Sequence, residues 1–238
     1  MASFSPAQKA RFQDLINTVV QSKSTPALSF AITGVDGPLF SYQYGTKIVG
    51  DAASGAIDED TIFWWCSQTK LIVSIAGLQM VEQGKIAFDT PVAQILPGLA
   101  HPVVITEQDN TTRKILATTP AQNPITFGQL LNHTSGLDYS VDTGAAVSGP
   151  LVGLSTVYTH KYAGQSASVF LKMLAGDLPG IPLRFEPGTD FAYGFGTDCV
   201  GFIVERLSGK TLEQYFQDHI FVSEYRFAMP AWQNGTLT

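Results

Sequence analysis

Residues 67–83 limit the possible folds of this chain most, because they have a helical pattern and yet are apolar on nearly every face. The apolar positions are Leu71, Ile72, Ile75, Leu78, Met80 and Val81. Gly84 follows them as a typical helix stop. A helix of this kind is stable only where other elements cover it. The sequence therefore predicts a buried central helix over residues 67–83, inside a globular domain.

Other elements are predicted on both sides of this helix. Ser5 and Pro6 supply the N-cap and first position of an amphipathic helix, whose apolar face holds Phe12, Leu15, Ile16, Val19 and Val20. Two strand-like runs, 27–33 and 38–44, flank a turn and predict a β-hairpin. Further helices are predicted at 126–132, 167–175 and 197–207, and after a capping box formed by Thr211 and Gln214. Irregular structure is predicted at 106–124 and 143–166.

Composition excludes some classes of partner. The 238 residues carry 14 Lys and Arg against 20 Asp and Glu, a net charge of −6, and their cationic side chains do not cluster. Nucleic acids and anionic membranes attract basic patches, so we expect neither as a partner. With no secretory signal and no apolar run of about 20 residues, the sequence predicts a soluble, cytoplasmic protein. Cys66 and Cys199 are then thiols, and we expect Cys66 to be a packing residue.

Ser67 and Lys70 open the predicted central helix with the spacing Ser-x-x-Lys. Residues three apart share a helix face, so the amine can take the proton of the hydroxyl. The backbone N–H groups at a helix start also suit an oxyanion that forms beside the serine. Ser67 could instead be only a helix cap, but the apolar run around Lys70 favours the catalytic interpretation. The motif predicts a serine nucleophile.

Two further clusters accompany this motif. Residues 185–198 contain a Pro-Gly turn that leads to Tyr193 just before a helix, where the hydroxyl could point into a cleft or be buried as ordinary packing. Residues 130–137 hold both His133 and a serine. We interpret this third cluster as structural, a helix end and turn in which His133 ties down the backbone.

Taken together, residues 63–89, 130–137 and 185–216 resemble the family of β-lactamase-like and penicillin-binding-protein-like serine hydrolases, nearest its esterase and transesterase branch. The resemblance implies an α/β (α+β) fold in which a helical lobe packs on an antiparallel sheet. It also implies that Ser67 is acylated, Lys70 activates it and Tyr193 relays protons. Whether Lys70 or Tyr193 takes the first proton is left open.

The implied reaction is acyl transfer without a metal or organic cofactor. An ester or thioester is the expected acyl donor, and water or an alcohol the acceptor, as in secondary metabolism. Phe195 stands where many family members have an asparagine, which disfavours the alternative of a β-lactamase or D-alanyl peptidase. We expect residues 1–238 to be the N-terminal part of a single domain that lacks the family's third motif and C-terminal strands. A catalytically silent remnant is therefore the other alternative.

Overall fold

The computed structural model describes residues 3–63, 65–112, 114–141 and 165–221, together with the backbone of residues 232, 233, 236 and 237. The chain divides into two compact units, Met1–Trp64 and Trp65–Thr238. Within those ranges, every helix is too short or too polar to cross a bilayer.

The first unit consists of one helix and a three-stranded antiparallel sheet in the order β1-β2-β3. Ser5 caps the helix as predicted, in a reciprocal capping box with Gln8. The predicted hairpin is also confirmed. The elements are α1 (Pro6–Gln21), β1 (Ala27–Gly34), β2 (Gly37–Ile48) and β3 (Asp51–Ala56).

Little of the first unit is buried. The aromatic rings of Phe12, Phe30 and Phe40 pack against one another, with centroids 5.3 to 6.3 Å apart. Ile16 on α1 is buried, but Leu15 is 62% exposed, so the predicted apolar face of this helix is wrong at Leu15.

The second unit is built around the predicted central helix, α2 (Thr69–Glu82), which a short 3-10 turn at Cys66–Gln68 precedes. Gly77 lets another helix approach closely, because a Cβ at this position would lie 2.9 Å from a methyl carbon of Val200. The opposite face is open: Leu71 is 65% and Leu78 47% exposed. The prediction that α2 is buried all round is therefore wrong, since the described elements cover only one side of it.

Two strands lie where irregular structure was predicted. The interval 106–124 contains most of a hairpin, which belongs to a sheet of order β5-β4-β6 with β6 parallel to β4. Its strands β4 and β5 are rich in threonine and only partly buried, so their polarity resembles that of a loop although threonine favours strands. The prediction for 143–166 lies almost wholly outside the described residues. The strands are β4 (Val103–Gln108), β5 (Ile115–Pro120) and β6 (Pro182–Leu183).

The remaining helices form a continuous core with α2. All were predicted, and the bounds of the second agree with the prediction at both ends. Their buried residues include Leu130, Leu171, Cys199, Ile203 and Tyr215. The helices are α3 (Phe127–Leu131), α4 (Ala167–Ala175), α5 (Gly196–Ser208) and α6 (Leu212–His219), and a two-stranded pairing of Trp232–Gln233 with Thr236–Leu237 follows them.

Candidate active site

Ser67 lies in the 3-10 turn that leads into α2, rather than in the first turn of α2 itself. The turn is closed by a hydrogen bond from the Gln68 N–H to the Trp65 carbonyl, 3.0 Å long. Cys66 adopts a φ of +46°, which is uncommon for a residue with a side chain. Both Cys66 and Ser67 are exposed, so the expectation that Cys66 serves packing is wrong. The hydroxyl is accessible to a substrate.

Lys70 lies in the first turn of α2, with its ammonium against two tyrosine rings. The Nζ atom is 5.0 Å from the centroid of the Tyr193 ring and 5.3 Å from that of the Tyr139 ring. The two rings meet edge to face, 5.5 Å apart. A cation at such distances is attracted by the negative ring faces. The structure thus brings Lys70 and Tyr193 together, with Ser67 three residues earlier on the adjoining turn.

Backbone pairing between two sequence clusters places Tyr193. The His133 carbonyl accepts a hydrogen bond from the Ala192 N–H, 3.0 Å long, and the Tyr193 carbonyl accepts one from Tyr139, 3.4 Å long. This contact needs glycine at position 194, because a Cβ there would lie 2.2 Å from the Leu137 carbonyl oxygen. The two clusters, which are separate in sequence, therefore form one wall of the site.

The His133 carbonyl has the backbone role that was expected of this cluster, but its ring also belongs to the site. It lies 4.8 Å from the ring of Tyr193, and its Nδ1 is buried without a hydrogen-bond partner among the described residues. Burial, and to a smaller extent the charge of Lys70, lower the pKa of His133. The imidazole is held neutral beside Tyr193, and the structural interpretation missed this proximity.

Tyr139 and Asp198 are two site residues that sequence reasoning missed. The Tyr139 hydroxyl donates a hydrogen bond to Asp198 Oδ2, 3.1 Å long. Burial raises the pKa of Asp198, against the opposing effects of Lys70 and of this hydrogen bond. An acid in the first turn of the largely apolar helix α5 was the available sequence signal. The buried Phe195 packs edge-on against Tyr139, with ring centroids 4.5 Å apart, so this residue supports the site from within the core.

Within the described ranges, no group of three or more His, Cys, Asp and Glu side chains could hold a metal ion. The chemistry available to these residues is that of a hydroxyl nucleophile beside an amine and phenols. Such a set can transfer an acyl group through a covalent intermediate.

Comparison with known proteins identifies the family of this chain. The sequence model of the beta-lactamase family matches residues 12–225. The chain belongs to the β-lactamase family. Acyltransferase calJ of Penicillium decumbens is 36% identical over 199 residues, which cover 80% of this chain and 42% of the relative. The lovastatin esterase of Penicillium rubens is 34% identical over 163 residues, covering 68% of this chain and 37% of the relative.

The solved structures confirm the β-lactamase-like fold. Unliganded simvastatin synthase (LovD) from Aspergillus terreus, as a selenomethionyl derivative, superposes with a TM-score of 0.67 at 27% sequence identity, over 92% of this chain and 52% of that one. The hydrolase EstCE1, described as having promiscuous acyltransferase activity, gives 0.64 at 22% identity and covers 90% of this chain and 50% of that one, which is evidence for the fold alone. The chain spans about two-fifths of the length of the two curated relatives and about half of these structures.

Proposed function

We propose that the protein forms an acyl-enzyme on Ser67 and transfers the acyl group of an ester or thioester to water or an alcohol. The observation that carries this proposal is the position of Lys70 Nζ against the Tyr193 and Tyr139 rings, three residues after an exposed serine. One relative named as an acyltransferase and one named as an esterase support the same reaction class.

The reaction takes two steps. In the first, Lys70 or Tyr193 removes the proton of Ser67, whose oxygen then attacks the carbonyl carbon of the donor. The tetrahedral intermediate collapses, the donor's alkoxide or thiolate leaves with a proton from the same pair, and the acyl-enzyme remains. In the second step, water or an alcohol gives its proton to that pair and attacks the acyl carbon. Ser67 leaves as the new bond forms and recovers its proton.

The surroundings of the site favour an uncharged, apolar substrate. Phe191, two residues before Tyr193, is 62% exposed, and Trp65, two residues before Ser67, is 42% exposed. Phe195 turns into the core and therefore offers a substrate no side-chain amide, unlike the asparagine expected in a β-lactamase or peptidase. Action in the cytoplasm remains a prediction of the sequence.

A serine-directed fluorophosphonate tests the proposal. Incubation followed by peptide mapping should place the label on Ser67, and Ser67→Ala should remain unlabelled. Ser168→Ala is the matched control, because Ser168 is an exposed serine on α4 without a neighbouring amine within three residues, and it should label like the parent. Label on Ser135 or Ser166, or none at all, contradicts the proposal.

A further inference from the structure

Asp198 is partly buried although an acid at its position in the helix could equally well face solvent. It lies in the first turn of α5, where a carboxylate favours the positive end of the helix dipole. An exposed acid would do this without a desolvation cost. Asp198 is instead half-buried between the buried residues Thr197 and Cys199, and its Oδ2 accepts the hydrogen bond of Tyr139. Its contacts therefore point to a role beyond the helix dipole.

The hydrogen bond links Asp198 to Lys70 through the Tyr139 ring. Tyr139 offers its hydroxyl to the carboxylate at 3.1 Å and its ring to the ammonium at 5.3 Å. Asp198 and Lys70 attract each other, since the charge of Lys70 opposes the rise in the pKa of Asp198. Burial and the charge of Asp198 both raise the pKa of the Cys199 thiol, which stays neutral.

The other charged or titratable groups near Asp198, Tyr139 and Lys70 are Arg184, His133 and Tyr193. Arg184 pairs with Asp138, 3.1 Å away, and not with Asp198. His133 faces Lys70 from the other side, with its pKa lowered, and Tyr193 adds a neutral phenol. Within the described residues, Asp198 is therefore the acid that a hydrogen-bonded tyrosine links to Lys70.

We propose that Asp198, acting through Tyr139, is a positioning residue for Lys70: Asp198 fixes the Tyr139 ring, and this ring holds the Lys70 ammonium against the Tyr193 ring. An ammonium kept in place is ready to return its proton to the leaving group. The inference rests on the proposed role of Lys70 in acylating Ser67. It predicts that the pH at which Ser67 becomes reactive depends on a side chain that does not touch the substrate.

The experiment measures the rate of fluorophosphonate labelling of Ser67 from pH 5 to 10 in the full chain. In Asp198→Asn, the midpoint of the rising limb should fall by about 1 pH unit, because a nearby negative charge no longer favours the ammonium. Asp177→Asn removes the same charge from an exposed site after α4 and should leave the midpoint unchanged. Tyr139→Phe, which keeps the ring and removes the donated hydrogen bond, should lower the midpoint in the same direction.

An unchanged midpoint in Asp198→Asn overturns the inference, and a merely structural role would give that result. If Asp198→Asn does not fold, Tyr139→Phe decides in its place. If the parent does not label at Ser67, the proposed function fails, and the inference is then judged by the NMR titration of Lys70 in protein labelled with 13C at the lysine Cε. A midpoint for Lys70 that falls in Asp198→Asn supports the link, and an unchanged one rejects it.

Discussion

The two compact units differ in how much they bury, and the candidate chemistry lies in only one of them. Among the described residues of the first unit, the buried hydrophobic side chains are Ile16, Phe40 and Ile57. The second unit has a continuous core from Val73 to Phe216. All candidate site residues belong to this second unit. Dense packing fixes side-chain positions, so the unit with the larger core is the one able to hold an ammonium against two rings.

Replacing a lysine in each unit tests this contrast most strongly. Lys70→Met keeps the stem and volume but removes the proton acceptor, so the rate of Ser67 labelling should fall by about 10⁴-fold, the upper end for a positioned base. Lys47→Met in the first unit breaks an exposed ion pair with Asp58, 3.0 Å long, and should leave the rate unchanged. Labelling kinetics of both variants give the comparison. Similar rates for Lys70→Met and the parent would show that lysine is not the base.

A pair of tyrosines makes the second test. Tyr193→Phe should lower turnover of a short p-nitrophenyl ester by about 10²- to 10⁴-fold if the hydroxyl relays protons. Tyr42→Phe in the first unit removes a hydroxyl that donates to Asn17, 3.0 Å away, and should cost about 1 kcal/mol of stability without an effect on turnover. Ester hydrolysis and urea unfolding are measured for each. A change below threefold in Tyr193→Phe would remove this tyrosine from the site.

Local sequence signals predicted the elements better than the contacts between them. The N-cap at Ser5, the first hairpin and the bounds of α4 depend on neighbouring residues, and all are confirmed. The open face of α2 at Leu71 and Leu78 does not follow from the apolar pattern itself, because periodicity shows which residues are apolar but not whether another element covers them.

The site shows the same division. Ser67, Lys70 and Tyr193 could be named because spacing and resemblance mark them, and their catalytic roles stay predictions. Tyr139 and Asp198 are 59 residues apart in sequence and meet only through the tertiary fold. A hydrogen bond of this kind leaves no local pattern, so the structure was needed to find it.

Truncating one leucine in each unit tests the packing contrast directly. Leu130 is fully buried in the core of the second unit, so Leu130→Ala should lower the free energy of unfolding by about 2–5 kcal/mol. Leu15 in the first unit is 62% exposed, and Leu15→Ala should change the free energy of unfolding by about 0.5 kcal/mol or less. Urea denaturation followed by circular dichroism measures both. Equal losses would mean that the first unit is as tightly packed as the second.

Asp198→Asn should change the free energy of unfolding less than Leu130→Ala does and in the opposite direction, and the change should depend on pH. Burial raises the pKa of Asp198 above the ordinary value of 3.8, so the unfolded chain loses this proton at a lower pH than the folded protein does. The carboxyl therefore contributes no penalty below about pH 3.8, and stability is lost as the pH rises through the raised folded value. Asparagine stays neutral and can still accept from Tyr139. The variant should consequently be more stable than the parent at pH 7, with the difference shrinking toward pH 3.

Asp218 supplies the matched contrast, because its pKa is shifted the other way. The hydrogen bond from Lys210 lowers the pKa of this exposed carboxyl, so its contribution is present above the ordinary value and is lost as the pH falls through the folded one. Asp218→Asn should therefore be slightly less stable than the parent at pH 7, by an amount that salt screens. Urea unfolding of both variants at pH 3, 5 and 7 measures the two trends. If Asp198→Asn is destabilised at pH 7 while Asp218→Asn behaves as expected, the Asp198 carboxylate stabilises the fold, and its inward position needs no functional explanation.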